Sequence, residues 1–356
     1  MTNEILLIQG NTTIDISNLV EDHTWYGSKG AAPRSLELHM VYTDRGGHSK
    51  VESADGQGIL FRENGKELFR GTISRHIYSR GKKTLIVHDR LLYTAKNRDT
   101  YLFVGKTADQ IAKKVFSDFG IPIGNIVSTG YVIPYLLFDG DTIYDIVMKA
   151  LQITYENTGQ RFAMFSEGDN VHIVRKKDQL KQWVVEDGVN LVEYTYETSI
   201  EDTVTKVKLI AEFDKKTITA VAEDKSLQSQ FGTMQHFEKA GEKTTQGELN
   251  AKAKAILQER GKVKKSLMLT NIPGISEVVT GVAIYVLISE LNVARPYYVD
   301  EDTHVFRGRN HTMTLKLTET DELPEITAGT TERPKPKPKP KPKKKKEPKK
   351  TAGEKK

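Results

Sequence analysis

A chain of 356 residues, 37% hydrophobic and 28% charged, is long enough for two to three domains and apolar enough to bury ordinary cores. It has no cysteine, which excludes disulfide scaffolds, thiolate metal centres and cysteine nucleophiles. The net charge of +6 is uneven: residues 331–356 hold 13 basic and 3 acidic groups, whereas the rest of the chain holds 40 and 44. A body of net −4 lacks the basic face that wraps nucleic acid, so no specific nucleic-acid partner is expected.

The N-terminal segment places Glu4 where a secretion signal needs lysines, and its apolar run is only residues 5–8. The most apolar stretch, residues 278–288, is interrupted by Thr280 and Gly281 and is too short to span ~30 Å of hydrocarbon. Neither secretion nor a membrane partner is therefore expected.

In chain order, residues 1–95 read as β-structure. Leu36, Leu38, Met40 and Tyr42 share one face at period two, and residues 59–63 and 66–70 flank Asn64-Gly65, the dipeptide of a tight type I′ hairpin. Residues 84–88 give another strand. Thr107-Ala108-Asp109-Gln110 has the form of a capping box opening a helix whose apolar face is Ile111, Ala112, Val115, Phe116 and Phe119. A second helix starts at Asp141-Thr142, turns Ile143, Ile146, Val147, Ala150 and Leu151 inward, and runs out near Gly159. Strands follow at 161–165 and 171–174.

From about residue 187 the β pattern returns, at 191–196, 204–213 and 217–221. A helix capped by Thr245 and Glu248 and ended by Gly261 precedes strands at 266–270, 282–291, 297–299 and 312–318. The expected organisation is α+β and β-rich. It comprises a barrel-like β domain over 1–95, an α+β domain with two amphipathic helices over 96–186, a second barrel-like β domain with one helix over 187–325, and a disordered tail over 326–356. In the tail, prolines at every second position from 334 to 342 remove backbone donors, and the lysines between them repel one another.

Little of this sequence carries reaction chemistry. Gly105-Lys106-Thr107 follows a strand and opens a helix, but Thr100 stands where a phosphate-binding loop needs its first glycine, so Thr107 reads as a helix cap. The histidines, at 23, 39, 48, 76, 88, 172, 236, 304 and 311, include no i, i+4 pair of the zinc-protease kind. Asp300-Glu301-Asp302 beside His304 lacks the spacing of a calcium loop and reads as a solvated turn. No catalytic residue, metal site or cofactor is expected. Residues 105–109 and 140–146 each resemble the start of a LysM module, which would bind peptidoglycan. Lys335, Lys337, Lys339, Lys341, Lys343, Lys344, Lys345 and Lys346 are the candidate partner-binding residues. They suit sequence-blind phosphate contacts, a solubilising terminus, or an extended strap on an acidic protein.

The order of several stretches resembles the baseplate hub proteins of contractile-tailed phages, in particular the XkdQ-type proteins of PBSX-like prophages, which are similar to late control proteins. These stretches are Thr24-Trp25-Tyr26-Gly27 with Pro33-Arg34-Ser35-Leu36, residues 68–73, His88-Asp89-Arg90 with Tyr93 and Asn97, and residues 116–122. Residues 141–147 and 298–304, and His311-Thr312-Met313, continue the series. The resemblance covers nearly all of 1–325 and leaves the lysine–proline tail outside it. It implies a homotrimeric, non-enzymatic adaptor in a tail or tail-like particle assembled in the bacterial cytoplasm. Its implied partners are the tail tube protein, the spike protein, baseplate wedge or initiator proteins and the tape measure. The alternative is a peptidoglycan-binding (LysM-like) or cell-wall-hydrolase-associated tail protein.

Overall fold

The computed structural model describes residues 2–45, 50–176, 180–191, 193–213, 216–240, 244–320 and 326–331. The lysines of the candidate partner-binding tail, Lys335 to Lys346, and His48 lie outside the described residues.

The first stretch forms seven strands: β1 (Asn3–Gln9), β2 (Thr12–Asp15), β3 (Val20–Ser28), β4 (Ser35–Val41), β5 (Gly58–Glu63), β6 (Lys66–Ser79) and β7 (Lys82–His88). Period two gives β4 its buried face of Leu36, Leu38 and Met40. Asn64 (φ 49°) and Gly65 (φ 81°) make the β5–β6 turn, both in the left-handed region that a type I′ hairpin requires.

The middle of the chain is a helical body: α1 (Leu91–Lys96), β8 (Arg98–Phe103), β9 (Lys106–Thr107), α2 (Ala108–Asp118), β10 (Ile123–Ile126), β11 (Val132–Ile133), β12 (Leu136–Thr142), α3 (Ile143–Thr158), β13 (Phe162–Glu167) and β14 (Asn170–Arg175). Thr107 and Gln110 form the capping box of α2, Thr142 accepts the Asp145 N–H at the start of α3, and Gly159 closes α3 at φ 70°. Ile111, Val115 and Phe116 of α2 meet Ile146, Val147 and Ala150 of α3 in one core. Residues 326–331 return to this body. Ile326 joins its core, Lys149 Nζ donates to the Ile326 carbonyl, and Thr330 bridges Leu137 of β12.

The remainder comprises β15 (Leu180–Glu186), β16 (Glu193–Ser199), β17 (Lys206–Phe213), β18 (Lys216–Glu223), α4 (Lys225–Phe231), β19 (Gln235–Lys239), α5 (Gln246–Arg260), β20 (Lys264–Pro273), β21 (Ala283–Ile288), β22 (Val293–Arg307) and β23 (Asn310–Thr318). A small sheet in the order β18–β17–β19 packs under α5 around Val207, Leu209 and Leu249.

The expectation of two barrel-like domains is corrected here. Among the described residues no sheet closes: the principal sheet has thirteen strands in the open order β16–β20–β23–β22–β3–β4–β7–β6–β5–β1–β2, with β21 on β22 and β15 on β21. Closing a barrel requires that a set of strands pair first to last. The long strand β22 prevents this. Its first half pairs with β21, but residues 301–307 pair with β3 on one side and with β23 on the other. The edge on which a second barrel would have closed is taken by a strand from near the start of the chain, and the two β modules become one sheet.

Candidate functional site

The junction of β3 with β22 is where the two modules are bound to each other, and it is built of polar groups. Asp302 lies opposite Gly27 in the ladder. Gly27 leaves room for the Arg34 side chain that crosses this point: a Cβ would stand 2.5 Å from the guanidinium, and the arginine would have to shift. Arg34 reaches Asp302 with both terminal nitrogens, at 2.8 and 2.6 Å, and its carbon end stacks 4.2 Å over the Trp25 ring. The second module supplies two more donors, the N–H and hydroxyl of Thr280, both on Asp302 Oδ1. The Asp302 side chain is fully buried, and Arg34 holds its carboxyl below the usual range against the opposing effect of burial.

Beyond Asp302 the seam continues through two buried imidazoles. His304 Nε2 contacts the Val278 carbonyl at 3.0 Å, and His304 Nδ1 is 2.9 Å from His311 Nε2. His311 in turn faces Glu63 of β5 at 3.4 Å. Phe306 of β22 stacks between His311 (3.9 Å between ring centres) and His23 (4.6 Å) and lies edge-on to Phe61. It therefore belongs to the hydrophobic core of the first module although it comes from the second. Burial lowers the pKa of His23 and of His304 to about 4, so both are neutral near pH 7.

Sequence reasoning placed Asp300-Glu301-Asp302 in a solvated turn. They sit instead inside the fifteen-residue β22, where Arg34 offsets the electrostatic cost of burying Asp302. Arg34, Glu63, Ser276 and Thr280 were not singled out as a group. The readable signal was an arginine after Pro33 and a glycine after Trp25-Tyr26 in the same stretches that carry the family resemblance. Among the histidines of the described residues, the fold brings 23, 304 and 311 together in this seam. Among the described residues no group of three or more histidine or acidic side chains is placed to hold a metal, and no helix is long and apolar enough to cross a membrane. The starts of residues 105–109 and 140–146 are the caps of α2 and α3, whose apolar faces meet in a shared core.

Next to the seam is a crevice of about 120 Å³ where both modules meet the helical body, lined by Arg34, Asp89, Tyr144, Phe165, Ser166 and Gly281 among others. Asp89 accepts the Leu91 N–H at 3.0 Å just before α1, yet burial pushes its pKa up to about 7. The folded form thus holds this proton more tightly than the unfolded chain, whose carboxyl ionises near 3.8. Stability from this group falls as pH rises from about 4 to about 7. Asp89→Asn is expected to match the wild type near pH 4 and to exceed it near pH 8, read from urea midpoints; equal midpoints at both pH values would contradict the assignment.

The architecture is shared with a known class. The 43 kDa tail protein of prophage MuSo2 from Shewanella oneidensis superposes with a TM-score of 0.67 at 15% identity, over 89% of this chain and 98% of that one. The fold is that of a prophage tail protein. At the sequence level, a family model described as YqbQ-like matches residues 23–318. Two proteins of Bacillus subtilis (strain 168), the uncharacterized protein YqbQ and the phage-like element PBSX protein XkdQ, are each 36% identical over 323 residues, 90% of this chain and 98% of theirs. The chain belongs to the YqbQ-like family, and the resemblance to XkdQ-type proteins read from its sequence is borne out.

Proposed function

We propose that this chain is the structural hub of a contractile phage-tail or tail-like baseplate, a homotrimeric adaptor between the tail tube and the central spike. It works as a scaffold and not as an enzyme, in a particle assembled in the host cytoplasm. The tube protein, the spike and baseplate wedge or initiator proteins are its partners, with the tape measure a further one. Family membership and the tail-protein fold support the tail role.

The observation that carries the adaptor reading is the open sheet. Two β modules are fused side by side by the seam, and the sheet they form ends in unpaired edges among the described residues. One is the outer side of β16, which pairs only with β20; another is the second half of β6, residues 74–79, beyond its pairing with β5. Free edges are templates for another chain. Three copies carrying two modules each would present six β units around an axis, matching a hexameric tube above and a trimeric spike below. The two edges also differ in charge: Arg75 is exposed on β6, and Glu193 and Glu197 are exposed on β16. Such a head-to-tail contact generates a ring when its rotation closes.

Light scattering of the full chain, alone and with tube and spike proteins, tests this. A mass three times that of the chain is expected, together with co-elution with tube protein. Arg75→Glu is expected to weaken trimerisation at least tenfold, and adding Glu193→Lys with Glu197→Lys to restore it, each opposed pair at an interface being worth roughly 1.5 kcal/mol or more. A chain that stays monomeric with both partners present refutes the adaptor reading.

A further inference from the structure

The hydrogen bonds of the seam are one proton short. Val278 O only accepts, so His304 Nε2 carries the proton that points at it. In a neutral His304, Nδ1 is then an acceptor, and the 2.9 Å contact makes His311 Nε2 the donor. A neutral His311 is left with a bare lone pair on Nδ1. The atom facing it at 3.4 Å is Glu63 Oε1, and both atoms are buried without a hydrogen-bond partner. Two acceptors therefore confront each other in a buried site, with His311 1% and Glu63 11% exposed at the side chain. Placing the charge on His304 does not remove the shortfall. It reverses the His304–His311 bond and turns His311 Nδ1 into a donor, which again requires one added proton.

We infer that the junction between the two β modules binds one proton in the Glu63–His311 contact, present in the folded chain at neutral pH and released when the seam opens. The surroundings fix its position. Phe306 covers one face of His311, and Gly274 lies so close that a Cβ there would collide with the ring. Burial in that setting lowers the His311 pKa and Glu63 opposes it, so the proton is held between Glu63 Oε1 and His311 Nδ1, the two buried atoms that face each other. The other Glu63 oxygen accepts from the Ser276 hydroxyl.

The charges around the contact do not supply an alternative partner. Asp302 is matched by Arg34 and also lies 3.4 Å from His304 Nε2, but burial outweighs that attraction and His304, like His23, is neutral. Lys66, the ladder partner of Glu63, pairs with Glu277 at 3.4 Å.

In the unfolded chain a glutamate ionises above about pH 4.3 and a histidine loses its proton above about pH 6.5, so above about pH 6.5 neither group holds this proton there. The folded chain then binds one proton more than the unfolded one, so stability falls as pH rises through the release point, the unfolding constant growing by up to about tenfold per pH unit. Alkaline conditions loosen the joint between modules.

Glu63→Gln tests this in the full chain, because an amide donates to His311 Nδ1 and accepts from Ser276 without an added proton. The comparison is made in the Asp89→Asn background, which removes the other buried carboxyl that holds a proton near neutrality. Between about pH 6.5 and about pH 9 the parent is expected to lose urea resistance, while the Glu63→Gln variant stays level and is at least as stable at the upper end. Parallel slopes, or a variant less stable at every pH, overturn the inference. The protons released on urea unfolding, counted in weakly buffered solution, give a second measurement. One proton released on unfolding near pH 7.5 by the parent and not by Glu63→Gln supports the bound proton, and equal release by both refutes it.

Discussion

Arg34→Ala is expected to destabilise the folded chain by about 3–5 kcal/mol at pH 7, among the largest effects available to a single substitution. The reason is asymmetric. Arg34 is partly reached by solvent, but Asp302 is fully buried, and its other neighbours are the donors of Thr280 and, at 3.4 Å, the neutral His304. Removing the guanidinium leaves a carboxylate with no counter-charge in a buried sheet junction, and that group either stays ionised at high cost or takes up a proton. In the wild type the Asp302 pKa is depressed. Its contribution is therefore present above the ordinary carboxylate range and is lost as pH falls through the folded pKa. The variant inverts this behaviour, so its deficit shrinks in acid as Asp302 becomes neutral. Arg34→Ala combined with Asp302→Asn is expected to recover part of the loss, because the unpaired charge is gone. Urea unfolding at pH 7 and pH 4 measures all three proteins. A deficit below about 1 kcal/mol at pH 7 would mean that the pair is no stronger than a surface ion pair.

The parts of this fold legible in the sequence are those decided locally. Asn64-Gly65, Thr107 with Gln110, Thr142 with Gly159, and Thr245 with Glu248 satisfy backbone groups within a few residues of themselves, and each stands where expected. The error lay in sheet closure, which depends on which strand takes which edge. The β3–β22 ladder joins residues from opposite ends of the described chain, and no local pattern announces it. The same distance hid the seam. An acidic triplet reads as exposed until its counter-charge is known, and Arg34 is 268 residues from Asp302. Even β22 itself was legible only at residues 297–299, since the charged stretch that follows is strand only because β3 and β23 flank it. The family resemblance pointed to the right stretches for a reason that the residues alone did not give: Trp25, Gly27, Arg34, Asp302, His304 and His311 are one structure.

If that structure couples the modules, a cavity in it should change how the protein unfolds as well as how easily. Phe306→Ala removes a ring that is 1% exposed and is expected to cost about 3–5 kcal/mol. Phe116→Ala, in α2 of the helical body, removes an equally buried ring and carries the same expected cost. The two differ in what the ring touches. Phe116 contacts the core of its own body, whereas Phe306 leaves its own module to fill the core of the other, against Phe61, His23 and His311. Losing Phe306 weakens the cross-module contact preferentially. Hydrogen exchange is therefore expected to show β1–β7 and β20–β23 losing protection at different denaturant concentrations in Phe306→Ala, while in Phe116→Ala these two strand sets still open together. Wild-type-like joint opening in Phe306→Ala, despite the full loss of stability, would mean that backbone pairing of β3 with β22 suffices to couple the modules. The aromatic and polar seam would then serve packing alone.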